Sequence, residues 1–182
     1  MARVKAGEQM PDLTLCMYPG TEKKLSDFRG EKVFLRVLRY IGCPTCRMDI
    51  HEMNVRSQEF ADKNTRLMVV IQSDAEHVKA DLERTDEALH YDLVLDPEMK
   101  IYRELDITAA KDKDGLHGDD QEKYLALREK VKAGGYVHGD FEGEELQLPA
   151  LFLIGEDGTV LYSHYAVSIA DMPGVDEMLQ LL

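Results

Sequence analysis

The chain has no tryptophan, and its 182 residues hold only three cysteines and six prolines. Three cysteines are too few for a secreted disulfide framework, so the fold must rest on a packed core, and a reducing cytoplasm is the expected compartment. Positive charge is also scarce: 22 Lys and Arg stand against 35 Asp and Glu, a formal charge of −13. That balance argues against a nucleic-acid surface, which needs clustered cations. No run approaches the roughly 18 apolar residues of a membrane span. The start, Met1-Ala2-Arg3-Val4-Lys5, lacks the apolar stretch of a signal peptide. No internal repeat or low-complexity segment is present. A hydrophobic fraction of 44% in 182 residues is enough for one domain with a core of its own.

What is present centres on residues 33–54. Val33, Phe34, Leu35, Val37 and Leu38, interrupted only by Arg36, predict a buried strand. Cys43-Pro44-Thr45-Cys46 follows, and Met48, Ile50, Met53 and Val55 predict a helix running to about Asn64. Pro44 suits the first helical position because it has no N–H to leave unpaired. Cys43 is then the N-cap and Cys46 lies in the first turn, where free N–H groups and the helix dipole favour negative charge. A thiolate is stabilised there, and the thiolate is the nucleophile. Strand, CxxC and helix together predict a thioredoxin-like redox motif. Cys43, nearest the helix N-terminus, is expected to be the more exposed thiol and the nucleophile toward disulfides. Arg39 and Arg47 are close enough in sequence to add positive charge.

Around this motif the pattern is α/β. Residues 1–30 read as an N-terminal extension in which Pro11 to Met17 alternates as a short strand, with Cys16 expected to be a small buried side chain. Lys24 to Gly30 reads as one helical turn. Arg66–Gln72 and Leu93–Leu95 are further strands, with a helix capped by Ser73 or Asp74 between them and a short helix, Glu98 to Leu105, after them. About residues 108–143 break the rhythm and read as a helical insertion: Asp119 to Lys132 forms a helix with Tyr124, Leu127 and Val131 inward, ended by Gly134-Gly135. A hairpin with Asp157-Gly158 at its turn and a helix from about Ala170 to Leu182 close the chain. The expected fold is a single thioredoxin-like domain, a central mixed β-sheet flanked by helices.

Gly42-Cys43-Pro44-Thr45-Cys46-Arg47, Asp96-Pro97 before a short helix, and Gln147-Leu148-Pro149-Ala150-Leu151-Phe152-Leu153-Ile154 followed by Asp157-Gly158 resemble the AhpC/TSA group of redoxins (alkyl hydroperoxide reductase and thiol-specific antioxidant), closest to CPxC-containing peroxiredoxin-like members. The resemblance runs from Gly7 to Leu182 apart from the insertion. It implies a thiol-dependent antioxidant oxidoreductase that uses Cys43 and Cys46, a cis Pro149 facing them, a thioredoxin-like dithiol as electron donor, and a possible homodimer. In this alignment Cys43 replaces a threonine of the family, Cys46 takes the place of the peroxidatic cysteine, and the family's later arginine is missing.

Two acceptors remain open at this stage. With a disulfide, Cys43 attacks and Cys46 resolves the mixed disulfide. With a hydroperoxide, either cysteine becomes a sulfenic acid and the other condenses with it. Thr45, Arg39 or Arg47 would then polarise the peroxide. The alternative class is a structural or zinc-binding protein, since CxxC is half of a zinc site. Cys16 and six scattered histidines offer no further ligand pattern, so neither metal nor cofactor is expected.

Overall fold

The computed structural model describes residues 3–182; Met1 and Ala2, which begin the expected extension, lie outside the described residues. The elements in chain order are β1 (Thr14–Met17), β2 (Thr21–Lys24), a 3₁₀ turn (Leu25–Phe28), β3 (Lys32–Val37), α1 (Pro44–Val55), α2 (Ser57–Ala61), β4 (Thr65–Ile71), α3 (Ala75–Thr85), β5 (Asp92–Leu95), α4 (Lys100–Glu104), α5 (Lys113–His117), α6 (Gln121–Ala133), β6 (Ala150–Ile154), β7 (Val160–Tyr165) and α7 (Val175–Gln180). The strands form one mixed sheet in the order β2-β1-β5-β4-β3-β6-β7. With helices packed around it, this is a thioredoxin-like fold.

Strand β3 lies inside the sheet, parallel to β4 (Leu35 opposite Met68) and antiparallel to β6 (Leu35 opposite Phe152). Both of its faces are covered, which is why it reads as a nearly unbroken apolar run. Side chains alternate between faces along a strand. Val33, Leu35 and Val37 therefore join one core cluster with Met68 and Phe152, while Phe34 and Leu38 join another with Ile50, Met53 and Phe60. Arg36 shares the parity of Phe34. It is tolerated inside because its guanidinium pairs with Asp49 of α1 at 2.6 Å and donates to the Pro173 carbonyl at 2.7 Å.

Several expectations are revised. The N-terminal segment is part of the sheet: β1 and β2 form a hairpin, and Met17 pairs with Val94 of β5. Every side chain of β2 is exposed, so no apolar alternation marks it in the sequence. Cys16 is exposed rather than buried, because Leu13, Leu15 and Met17 take the inward positions and the period of two turns Cys16 outward. The helix expected to reach Asn64 is divided at Arg56, whose φ of −106° and ψ of 11° leave the helical region. Met99 adopts a left-handed φ of 54°, so α4 begins later than Glu98, with the Asp96 carboxylate accepting from the Lys100 and Ile101 amides. The final helix starts only at Val175, after Pro173 and Gly174. Asp74, as expected, caps α3.

Residues 108–143 contain α5 and α6. No residue of α6 is fully buried, but Tyr124, Leu127 and Val131 are the half-buried positions of its middle, the face that the sequence pattern marks. Gly134 caps α6. The chain then returns as an extended strap, residues 136–147, across the start of α1. Among the described residues no helix is long and apolar enough to cross a membrane.

Candidate redox site

The site grows from the end of β3. Beyond Val37 the chain still runs beside β4: Leu38 donates to the Val70 carbonyl at 2.9 Å and Gln72 donates to the Arg39 carbonyl at 2.8 Å. Buried Tyr102 donates its hydroxyl to the Leu38 carbonyl at 2.7 Å. The Ile41 amide is held by Ser73 Oγ at 2.8 Å, and the Cys43 amide turns back onto the Tyr40 carbonyl at 3.1 Å. Cys43 is the N-cap of α1 with Pro44 in the first turn, as the sequence predicts. Cys46 lies on the inward face of α1, followed by Ile50 and Met53 at helical spacing.

The two thiols share one arginine. Arg39 Nη1 donates to Cys43 Sγ at 3.3 Å, and the Arg39 backbone N–H donates to Cys46 Sγ at 3.4 Å. Its Nη2 donates to the Tyr40 hydroxyl at 3.5 Å and to the Glu145 carbonyl. Arg39 Nε is buried and has no hydrogen-bond partner among the described residues. A hydrogen bond from the Cys46 thiol holds the Cys43 thiol down to about 6. Burial opposes this, while the Arg39 charge and the Cys46 and Thr45 amides support it. Cys46 is pushed well above the ordinary thiol range by burial and by the negative charge next to it on Cys43. One thiol is therefore a thiolate near neutral pH and its neighbour remains protonated, the division of labour that an attacking and a resolving cysteine need.

Exposure does not separate them. Cys43 is 1% exposed and Cys46 4%, so the expectation that Cys43 is the more accessible thiol is corrected. The strap is tied to the residues that flank Cys43. The Gly139 amide donates to the Gly42 carbonyl at 2.8 Å, and a Cβ on Gly42 would overlap the Asp140 carbonyl oxygen. Gln72 clamps Glu144 through two bonds, donating to its carbonyl at 3.0 Å and accepting from its amide at 2.8 Å. Ser73 donates to Glu142 at 2.9 Å. His138 Nε2 lies 3.2 Å from the Tyr40 hydroxyl, and the Glu145 carbonyl receives Arg39.

The other residues singled out in the sequence are distributed as follows. Thr45 contributes its amide to the Cys43 sulfur and, with Pro44, forms one wall of a groove of about 760 Å³ whose other wall includes Tyr124, Leu127, Val131 and Tyr136. Arg47 follows Cys46 by one residue, about 100° around the helix. It is buried, but it pairs with Asp81 of α3, which also binds Arg84 at 2.5 Å, so its charge is engaged there. Pro149 precedes β6 at the sheet end where β3 leads into the CxxC, since Ala150 pairs with Val37. Its peptide bond is trans: among the described residues the cis peptide is Tyr18–Pro19, which corrects the expected cis Pro149. Trans is the ordinary state of X–Pro bonds, preferred by about 0.5–1 kcal/mol. Among the described residues no group of three or more His, Cys, Asp or Glu is arranged to hold a metal ion. Tyr40 and His138 were not singled out by sequence; they are 98 residues apart and only the strap joins them.

A family model described as the AhpC/TSA family matches residues 6–163. Among solved structures, the chain is similar to PrxQ from Xylella fastidiosa, with 16% identity, a TM-score of 0.69 and coverage of 99% of this chain and 96% of that one. It is similar to peroxiredoxin 6 of Arenicola marina at 14% identity and a TM-score of 0.71, over 98% of this chain and 71% of the other. It is also similar to a protein assigned as the thiol:disulfide interchange protein DsbE from Chlorobium tepidum, at 19% identity and a TM-score of 0.58, covering 90% and 86%. No curated protein matches the sequence. The chain belongs to the AhpC/TSA family and, with it, to the thiol-dependent redox enzymes.

Proposed function

We propose that this AhpC/TSA member is a peroxidase in which Cys43 attacks a hydroperoxide and Cys46 resolves the product. The observation that carries this reading is Arg39: its guanidinium touches the Cys43 sulfur at 3.3 Å, and its buried Nε has no partner among the described residues. A buried donor left unpaired costs about 1–3 kcal/mol, and a peroxide oxygen is an acceptor of the right size to satisfy it. The guanidinium thus supplies the positive charge that the family's missing later arginine would provide. Burial of both sulfurs favours a small acceptor over a protein disulfide, whose bulk must reach the attacking atom.

The chemistry balances in three steps. The Cys43 thiolate attacks the terminal oxygen of R–O–O–H; an S–O bond forms, the O–O bond breaks and its electron pair leaves with the R–O oxygen, which takes up a proton. Sulfur is oxidised to the sulfenic acid and the peroxide is reduced to an alcohol or water. The Cys46 thiol then displaces hydroxide from the sulfenic sulfur, giving the Cys43–Cys46 disulfide and water. An external dithiol of the thioredoxin kind returns both cysteines to thiols by exchange.

Rapid mixing of the reduced protein with hydrogen peroxide tests this. The expected rate of thiol loss is about 10³-fold above that of an unassisted thiol, in line with the worth of preorganised charge at a reacting atom. Cys43→Ser abolishes it, and Cys46→Ser leaves a sulfenic acid that dimedone traps on Cys43. A rate no better than free thiol would sink the peroxidase reading.

A further inference from the structure

Tyr40 is completely buried, yet its hydroxyl is linked to the redox site on one side and to solvent on the other. On the inner side it accepts from Arg39 Nη2 at 3.5 Å, while Nη1 of the same guanidinium donates to Cys43 Sγ at 3.3 Å. The hydroxyl and the sulfur are therefore bound to adjacent amino groups of one rigid, planar fork. The Arg39 guanidinium also stacks on the Tyr40 ring, 5.0 Å from its centroid, which holds the two side chains in register. On the outer side the hydroxyl meets His138 Nε2 at 3.2 Å, and His138 is exposed on the strap. His138 Nδ1 lies 2.7 Å from the Gly139 carbonyl, which can only accept, so the proton of the neutral ring resides on Nδ1 and Nε2 accepts from Tyr40.

We propose, on the basis of the peroxidase reading, that Tyr40 is the proton donor to the oxygen that departs when the Cys43 thiolate opens a hydroperoxide. The thiolate can act only on one oxygen of the O–O bond, and the other leaves as a strong base. Arg39 can bind that oxygen but cannot release a proton to it, because arginine stays protonated in proteins. Cys46 keeps its proton for the resolving step. Among the groups bound to the Arg39 fork, the Tyr40 hydroxyl is the one that can give a proton. Burial pushes it up to about 12, which still leaves it a stronger acid than water, so transfer to a departing hydroxide is downhill. The hydroxyl rotates from His138 to the departing oxygen, the O–H bond breaks, and the product leaves as water or an alcohol. Once the hydroxyl has turned away, the exposed His138 ring takes a proton from water on Nε2 and passes it to the phenolate, which restores the neutral ring protonated on Nδ1. Tyr40 is thus a catalytic residue, and His138 positions and recharges it.

The test compares leaving groups in the full-length reduced protein. Wild type and Tyr40→Phe are mixed with hydrogen peroxide, ethyl hydroperoxide and peracetic acid, and separately with iodoacetamide. The phenylalanine keeps the ring and its stacking on Arg39. The expected loss is about 100-fold with hydrogen peroxide and ethyl hydroperoxide, the usual worth of a general acid. It is less than about 3-fold with peracetic acid, whose acetate departs without a proton, and alkylation by iodoacetamide is unchanged, since iodide needs none. Equal losses with all three peroxides, or none, would overturn the role of Tyr40 while leaving the peroxidase reading intact. A wild type no faster than free thiol with every peroxide would instead overturn both. Normal alkylation in Tyr40→Phe also establishes that the variant is folded around Cys43.

Discussion

Two buried arginines flank the CxxC, and they do different work. Arg39, four residues before Cys43, gives its backbone N–H to one sulfur and its side chain to the other. Arg47, one residue after Cys46, turns to α3 and is neutralised by Asp81. On the strand side of the motif the charge serves the sulfurs. On the helix side it holds two helices together. Proximity in sequence to a reactive cysteine says little about which role an arginine takes; the carboxylate within reach decides. Asp81 claims Arg47, whereas among the described residues no carboxylate pairs with Arg39, whose partners are sulfurs, a phenol and a carbonyl.

The sharpest way to break the contrast is to remove each charge in turn. Arg39→Met is expected to lower the peroxide reaction of Cys43 about 100-fold or more, the worth of one preorganised donor. Its pH profile gives an independent readout. The thiolate is the reactive form, so reactivity is full above its midpoint and lost as pH falls through it. The wild type loses it near pH 6, and without the Arg39 charge the midpoint moves up, which iodoacetamide rates measured between pH 5 and 9 will report. Arg47→Met is expected to leave that midpoint in place and instead to destabilise the fold by about 3 kcal/mol in urea melts, since Asp81 is left buried with only Arg84. A shift of the Cys43 midpoint in Arg47→Met, or none in Arg39→Met, would erase the distinction. The smallest expected effect comes from Gly42→Ala, whose methyl group pushes on Asp140 and lifts the strap. Labelling of Cys43 by a bulky maleimide should rise several-fold, with the peroxide step slowed less than in Arg39→Met.

The strand side of the site was partly readable in the sequence and the strap was not. The apolar run of β3, the cap at Cys43, Pro44 and the α1 pattern all express local rules, and each is found where those rules put it. Arg36, Arg39 and Arg47 look alike in the sequence because their fates depend on strand parity and on partners contributed by α1, α3 and the strap. The hairpin strand β2 left no signal because all of its side chains face solvent. The strap is held largely through its backbone, by Gly139 on Gly42 and by Gln72 on Glu144, and backbone contacts leave no periodicity to read.

The strap also sets a timetable. Cys43 is 1% exposed, an opening that a hydroperoxide is small enough to use and a protein-sized dithiol is not. A Cys43–Cys46 disulfide formed by the proposed chemistry would wait for residues 136–147 to swing aside before such a dithiol reduced it. Under the proposed chemistry, the frequency of that opening is the ceiling on turnover. Raising the peroxide concentration would then fill the oxidised state without hastening the cycle, and the fraction of oxidised protein at steady state would register how often the strap opens.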